Sequence, residues 1–233
     1  MNGSKILQLI PTDSVNTLSN KGTNKTLSIM FIDKSGSMQR FGQTPLDCLN
    51  NHLQTLQTPP DGREQYCTVI SFTEEATVEL PLTKVSNGLK IKSYEADGGT
   101  LLWETVYQTL KVFLQMHKNL PDNDSLQVVV GVFSDGEDNW SFPERQPRKL
   151  KKIAQRALEF GWHLYSYGIG IDAKKLASDM GFPTDDDHAK TVLATPEGLQ
   201  EVTQHFSINT TTIGCPADFF KVPPPRTTSP EKP

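Results

Sequence analysis

Cysteine is scarce in this sequence of 233 residues: there are three, Cys48, Cys67 and Cys215, and no two of them form a CxxC pair. An odd number at wide spacing does not build a disulfide framework and suits a reducing compartment. No apolar run approaches the roughly 20 residues that span a bilayer. The first 25 residues hold too short an apolar stretch for a signal peptide and no cleavage pattern. A cytoplasmic protein with no membrane partner is therefore expected. The five histidines show neither HExxH nor HxxxH spacing, which removes the usual support for zinc catalysis. No Walker-type glycine loop followed by Lys–Ser/Thr is present to hold a nucleotide. Positive charge is not concentrated either. The net charge is −4, and the one basic cluster, "RKLKK" at 148–152, reads as the solvated start of a helix, so no nucleic acid partner is expected.

What the chain does contain is a regular alternation. With 36% hydrophobic and 21% charged residues it has the composition of a globular protein, long enough for one sizeable core. Residues 1–24 are rich in Ser, Thr and Asn without sustained periodicity and read as an irregular N-terminal extension. From there, apolar runs of strand length at 26–33, 66–72, 126–135 and 162–170 alternate with helical spacing at 44–57, 101–117, 148–160 and 196–206. Thr44 is a candidate N-cap with Pro45 in the first turn. The segment 76–85 alternates more and contains Pro81, which marks it as an edge strand. A short strand is expected at 191–195. Near-continuous apolar strands are buried on both faces, so the fold class is α/β: a doubly wound, mainly parallel sheet with helices on both faces. Residues 25–208 form the domain, and 209–233 read as a Thr/Pro-rich flexible tail.

The chemistry concentrates where apolar strands stop. In "MFIDKSGSM" a buried strand ends at Asp33, followed by Ser35 and Ser37. In "FSDGEDN" the longest apolar run ends at Asp135, and "DGGT" places Thr100 after two glycines at the start of a helix. In open α/β sheets ligands bind beyond the carboxyl ends of the strands, where strand order reverses. A sheet order of 3-2-1-4-5-6 would bring Asp33 and Asp135 to that point together. Carboxylates and hydroxyls without His or Cys suit a hard cation, Mg²⁺ with Mn²⁺ or Ca²⁺ as alternatives, and do not suit zinc. An N-capping Asp or Ser at a strand–helix turn would give the first motif as well. The coincidence of three segments, each at the end or start of an element, favours the metal.

These three segments, "FIDKSGSM", "DGGT" and "FSDGEDN", resemble the metal-ion-dependent adhesion site of von Willebrand factor type A domains, in the right order and across about residues 25–208. The stretches at 71–85 and 167–182 resemble stand-alone bacterial members more than integrin inserts. The resemblance implies a Rossmann-like fold and a metal held by Asp33, Ser35 and Ser37 in a first loop, Thr100 in a second and Asp135 in a third, often through water. It also implies a protein-binding module in which the bound Mg²⁺ takes an Asp or Glu side chain of a partner protein as a further ligand. A Mg²⁺-dependent hydrolase acting on phosphate esters at the same aspartates is the alternative. The haloacid-dehalogenase pattern needs an Asp two residues after the first, where this chain has Ser35, so a non-enzymatic role is expected.

Other polar groups have plainer explanations. "TDDDHAK" (184–190) reads as a solvated acidic loop, since consecutive carboxylates rarely all point inward. Glu137 and Asp138 read as turn-surface residues, His163 as a strand-edge residue, and Cys48 and Cys67 as small core residues. Trp140, just past the third loop, either anchors a partner at the rim or packs over the loop.

Overall fold

The computed structural model describes residues 18–19, 24–121, 125–139, 141 and 146–215. The elements are β1 (Lys25–Asp33), a 3-10 turn (Gly36–Phe41), α1 (Thr44–Thr55), β2 (Glu64–Phe72), β3 (Ala76–Lys84), α2 (Leu102–Lys118), β4 (Leu126–Ser134), α3 (Gln146–Glu159), β5 (His163–Ile169), α4 (Ala173–Met180), β6 (Ala189–Val192) and α5 (Pro196–Thr212). The six strands form one sheet in the order β3-β2-β1-β4-β5-β6. All neighbours are parallel except β3, which runs antiparallel to β2 at the edge. This is the mixed, doubly wound α/β sheet expected from the apolar runs.

Every residue of β1 is buried, and the strand's period of two divides the core. Leu27, Ile29 and Phe31 join one cluster with Leu102, Val106, Leu110 and Phe113 of α2 and Leu150, Ala154 and Ala157 of α3. Met30 and Ile32 join the opposite cluster with Leu49 and Leu53 of α1 and Val202 and Phe206 of α5. Helices therefore cover both faces, which is why the central strands carry no polar stripe. Cys48 and Cys67 lie buried and free, and burial pushes the Cys67 thiol up to about 12.

Pro81 sits in β3 beside an irregularity in the β2 pairing, with the Thr68 hydroxyl donating to the Leu80 carbonyl at 2.8 Å. A residue without an N–H is tolerated at such an edge. Two boundaries differ from expectation. Thr44 lies inside α1, whose cap position is held by Gln43 without a side-chain bond. The final helix continues to Thr212, past the boundary expected at 208. Thr210 and Thr211 are buried in it, and their hydroxyls donate to the carbonyls of Phe206 and Ser207, four residues back. The polar names that suggest a tail thus belong to a packed helix. Residues 216–233, most of the expected tail, and nearly all of the N-terminal extension lie outside the described residues.

Two buried features pin α5 to the sheet. A Cβ on Gly131 of β4 would lie 2.6 Å from the Phe206 ring, so glycine there makes room for the aromatic. His52 of α1 is fully buried, with Nε2 2.8 Å from Ser28 Oγ on β1 and Nδ1 2.8 Å from Ser207 Oγ on α5. Gly131→Ala should lower unfolding free energy by about 1–3 kcal/mol through overpacking, read from urea midpoints. Burial pulls the His52 imidazole down to about 3, whereas an unfolded chain protonates near 6.5. Between those values the unfolded state binds more protons, so stability rises with pH and levels off above about 6.5. His52→Gln, which cannot ionise, should remove a slope amounting to roughly 2–3 kcal/mol between pH 6.5 and 4.5. The check is to compare urea midpoints of the two proteins at those pH values.

Candidate metal centre

The parallel ladder sets Ile32 beside Phe133, so the chain leaves β1 and β4 at the same level. Asp33 and Ser134 end their strands side by side, and Asp135 follows. Asp33 is completely buried. Its Oδ1 accepts the Ser35 backbone N–H at 2.9 Å, and its Oδ2 accepts the Ser134 hydroxyl at 2.5 Å. Burial pushes the Asp33 carboxyl up to about 6; the bonds from Ser134 and Ser35 pull it down, and the charge of Asp135 adds to the rise.

The first loop turns at once into the 3-10 segment, which brings two hydroxyls together. Ser35 Oγ and Ser37 Oγ are 3.1 Å apart, and Ser37 donates to Asp135 Oδ1 at 2.7 Å. Ser35 is buried and Ser37 exposed, so the cluster runs from the floor of the crevice to its rim. The second loop is stitched to the first by two backbone bonds. The Gly36 N–H donates to the Gly98 carbonyl at 3.0 Å, and the Asp97 N–H to the Lys34 carbonyl at 2.8 Å. Gly98 has φ 76, a conformation that favours glycine, which accounts for the first of the loop's two glycines.

Thr100 is buried and pairs with the third loop. Its N–H donates to Asn139 Oδ1 at 2.9 Å, and the Asn139 N–H returns to the Thr100 carbonyl at 3.2 Å. Thr100 Oγ1 lies 4.0 Å from where a Cβ on Gly136 would stand, facing the residue next to Asp135. Asp33, Ser35, Ser37 and Asp135 thus form one hydrogen-bonded cluster, with Thr100 set against its third loop.

Sequence patterns did not single out several neighbours. Ser134 bonds Asp33 from the adjacent strand, and its place immediately before Asp135 was the available signal. The Tyr94 hydroxyl donates to the Asp33 carbonyl at 2.5 Å. Arg40, at the end of the 3-10 turn, donates to Asp135 Oδ2 at 2.5 Å. Glu137 is an exposed turn residue paired with Lys175, as expected. Asp138 is more than that. Its Oδ2 accepts the Trp103 N–H at 2.7 Å in the first turn of α2, and its Oδ1 accepts the Ser141 N–H at 2.8 Å. The cap position of α2, Leu101, has no capping side chain, so Asp138 supplies one from the third loop. Trp140 lies outside the described residues.

The residues of the acidic loop point to solvent: Asp185, Asp186 and Asp187 are exposed, with Asp185 2.7 Å from His188 Nδ1 and Asp186 2.7 Å from Lys174. Among the described residues no group of three or more His, Cys, Asp or Glu side chains converges as a metal cluster. The crevice at Asp33 and Asp135 differs in kind, because hydroxyls make up the rest of its oxygen set. Among the described residues no helix is long and apolar enough to cross a membrane.

No protein-family model matches the sequence, and the curated proteins contain no match. Solved structures do share the fold. A von Willebrand factor type A protein from Catenulispora acidiphila is 17% identical with a TM-score of 0.55, covering 81% of this chain and 43% of its own. The von Willebrand factor domain of the type V pili tip protein Mfa5 from Porphyromonas gingivalis is 15% identical with a TM-score of 0.52, covering 81% of this chain and 97% of its own. The manganese-loaded TRAP protein of Plasmodium vivax is 15% identical with a TM-score of 0.52, covering 79% and 74%. The chain spans less than half the length of the Catenulispora protein. At these identities the likeness shows a common fold, that of von Willebrand factor type A domains.

Asp138→Ala should cost about 1–2 kcal/mol, the size of a lost helix cap, and should speed amide exchange at Trp103 more than in the middle of α2. Equal exchange at both places would remove Asp138 as the cap.

Proposed function

We propose that this chain is a divalent-metal-dependent protein-binding module of the von Willebrand factor type A family. Asp33, Ser35 and Ser37 of the first loop, Thr100 of the second and Asp135 of the third would hold the ion, Mg²⁺ with Mn²⁺ or Ca²⁺ as alternatives. The bound ion would supply the positive charge that attracts an Asp or Glu side chain of a partner protein. One observation carries this proposal: the Ser37 hydroxyl reaches Asp135 Oδ1 across 98 positions of sequence, joining the two carboxylate loops at 2.7 Å. The donor set fits the group. Two carboxylates and three hydroxyls, with no nitrogen or sulfur among them, suit a hard cation and leave positions for water and an outside carboxylate. The manganese-loaded neighbour of the same fold adds support.

The crevice also favours binding over catalysis. Lys34, the base inside the first loop, sends its ammonium 2.8 Å to Glu79. His52, His117, His188 and His205 have their partners at Ser28, Trp162, Asp185 and Tyr167, away from the two aspartates. Three free cysteines, two of them buried, support the cytoplasmic location proposed for the chain.

Asp33→Asn and Asp135→Asn keep shape and remove charge. Each should abolish Mn²⁺ binding in a calorimetric titration while leaving the far-UV circular dichroism intact. Ser35→Ala should weaken binding less, because water can replace a neutral ligand. A partner captured in Mg²⁺ should be lost in EDTA and with Asp33→Asn. Variants that bind Mn²⁺ as wild type does would remove these residues as ligands.

A further inference from the structure

Arg40 is the one cation that touches the crevice's carboxylates among the described contacts, and the metal reading gives it no role. It is the penultimate residue of the 3-10 turn, seven residues after Asp33, and Gly42 closes the turn with its N–H donating to the Gln39 carbonyl at 3.0 Å. That turn carries the Arg40 side chain back over the mouth of the crevice. Nη2 meets Asp135 Oδ2 at 2.5 Å while Ser37 occupies Oδ1 at 2.7 Å, so both oxygens of Asp135 are engaged. The Asp135 side chain has 0% exposure and the Arg40 side chain 47%. The pair is therefore lopsided: a shielded carboxylate under a guanidinium whose outer half is wet.

Two buried carboxylates in one crevice repel each other and pay a desolvation cost that hydroxyl donors alone offset poorly. Arg40 supplies the missing positive charge. Apart from Asp135, the guanidinium has one further neighbour of note among the described residues, the Phe41 ring 5.0 Å away, and half the side chain already faces water. Leaving Asp135 would cost Arg40 one charge-assisted bond and little packing. The other basic residue of the loop is held elsewhere, by Glu79.

We infer that Arg40 is a built-in counter-ion of the metal-free protein, which competes with a divalent cation for the Asp135 carboxylate and so sets the affinity of the site. The inference rests on the metal site proposed above. Occupancy of a competing internal cation lowers apparent affinity by the fraction of molecules in which Asp135 is free. A charge-assisted bond to a buried carboxylate is strong enough to shift that fraction about tenfold or more.

Calorimetric titration with Mn²⁺ tests this on the full chain, with Arg40→Gln, Arg40→Lys and Asp135→Asn beside wild type. Thermal unfolding of each in EDTA supplies a second readout that needs no metal. Arg40→Gln should bind Mn²⁺ about tenfold or more tightly and unfold at lower temperature in EDTA, with the difference reversed or erased at saturating Mn²⁺. Arg40→Lys, which keeps a charge on a shorter and more flexible side chain, should lie between. The gain should persist at high salt, because a shielded carboxylate is poorly screened. Equal Mn²⁺ affinity for wild type and Arg40→Gln, with Asp135→Asn silent, would overturn the role of Arg40 and leave the metal site standing. Absence of Mn²⁺ binding in both would overturn the two together.

Discussion

Two carboxylates buried within one crevice are the constraint around which this molecule is arranged. The parallel pairing of β1 with β4 puts Asp33 and Asp135 at a common edge, and nothing in the packing of the sheet requires either. An unpaired carboxylate taken out of water costs several kcal/mol. The raised carboxyl of Asp33 records that cost, since its first cause is burial. Around the pair the chain has placed a backbone N–H, the hydroxyls of Ser134 and Ser37, and the guanidinium of Arg40. These groups offset the burial of the two carboxylates.

The loops that carry those oxygens are held by the elements they connect. Each of the three bonds to at least one other, through Gly36 and Gly98, Lys34 and Asp97, Thr100 and Asn139. Asp138 extends the network to the first turn of α2, so the third loop caps the helix that the second loop begins. A crevice built this way is preorganised by backbone bonds, and its carboxylates and hydroxyls sit on short loops between rigid elements. On the opposite face, His52 and Gly131 fix α5 against the sheet, so the core that carries the crevice is tied on both sides.

Much of this was legible in the sequence because burial on both faces leaves a mark. The runs ending at Asp33 and Asp135 are apolar without interruption, which predicts central parallel strands, and central strands place their ends at the switch point. Pro81 likewise marked β3 as an edge. What stayed hidden depends on angles and not on periods. Arg40 reaches Asp135 only because a 3-10 turn follows Asp33, and no pattern of hydrophobicity specifies that turn. Asp138 looks like any surface carboxylate until the start of α2 is seen to lack its own cap. Thr210 and Thr211 suggest a tail by composition, yet hydroxyls that bond their own helix carbonyls can be buried.

Anomalous diffraction from crystals of the full chain grown with Mn²⁺ would locate the ion. One strong anomalous peak is expected within bonding distance of oxygens from Asp33, Ser35, Ser37 and Thr100 and joined to Asp135 directly or through one water, with the Arg40 side chain withdrawn from Asp135. An empty crevice at saturating Mn²⁺, or a peak confined to the exposed carboxylates at 185–187, would contradict the proposed metal site.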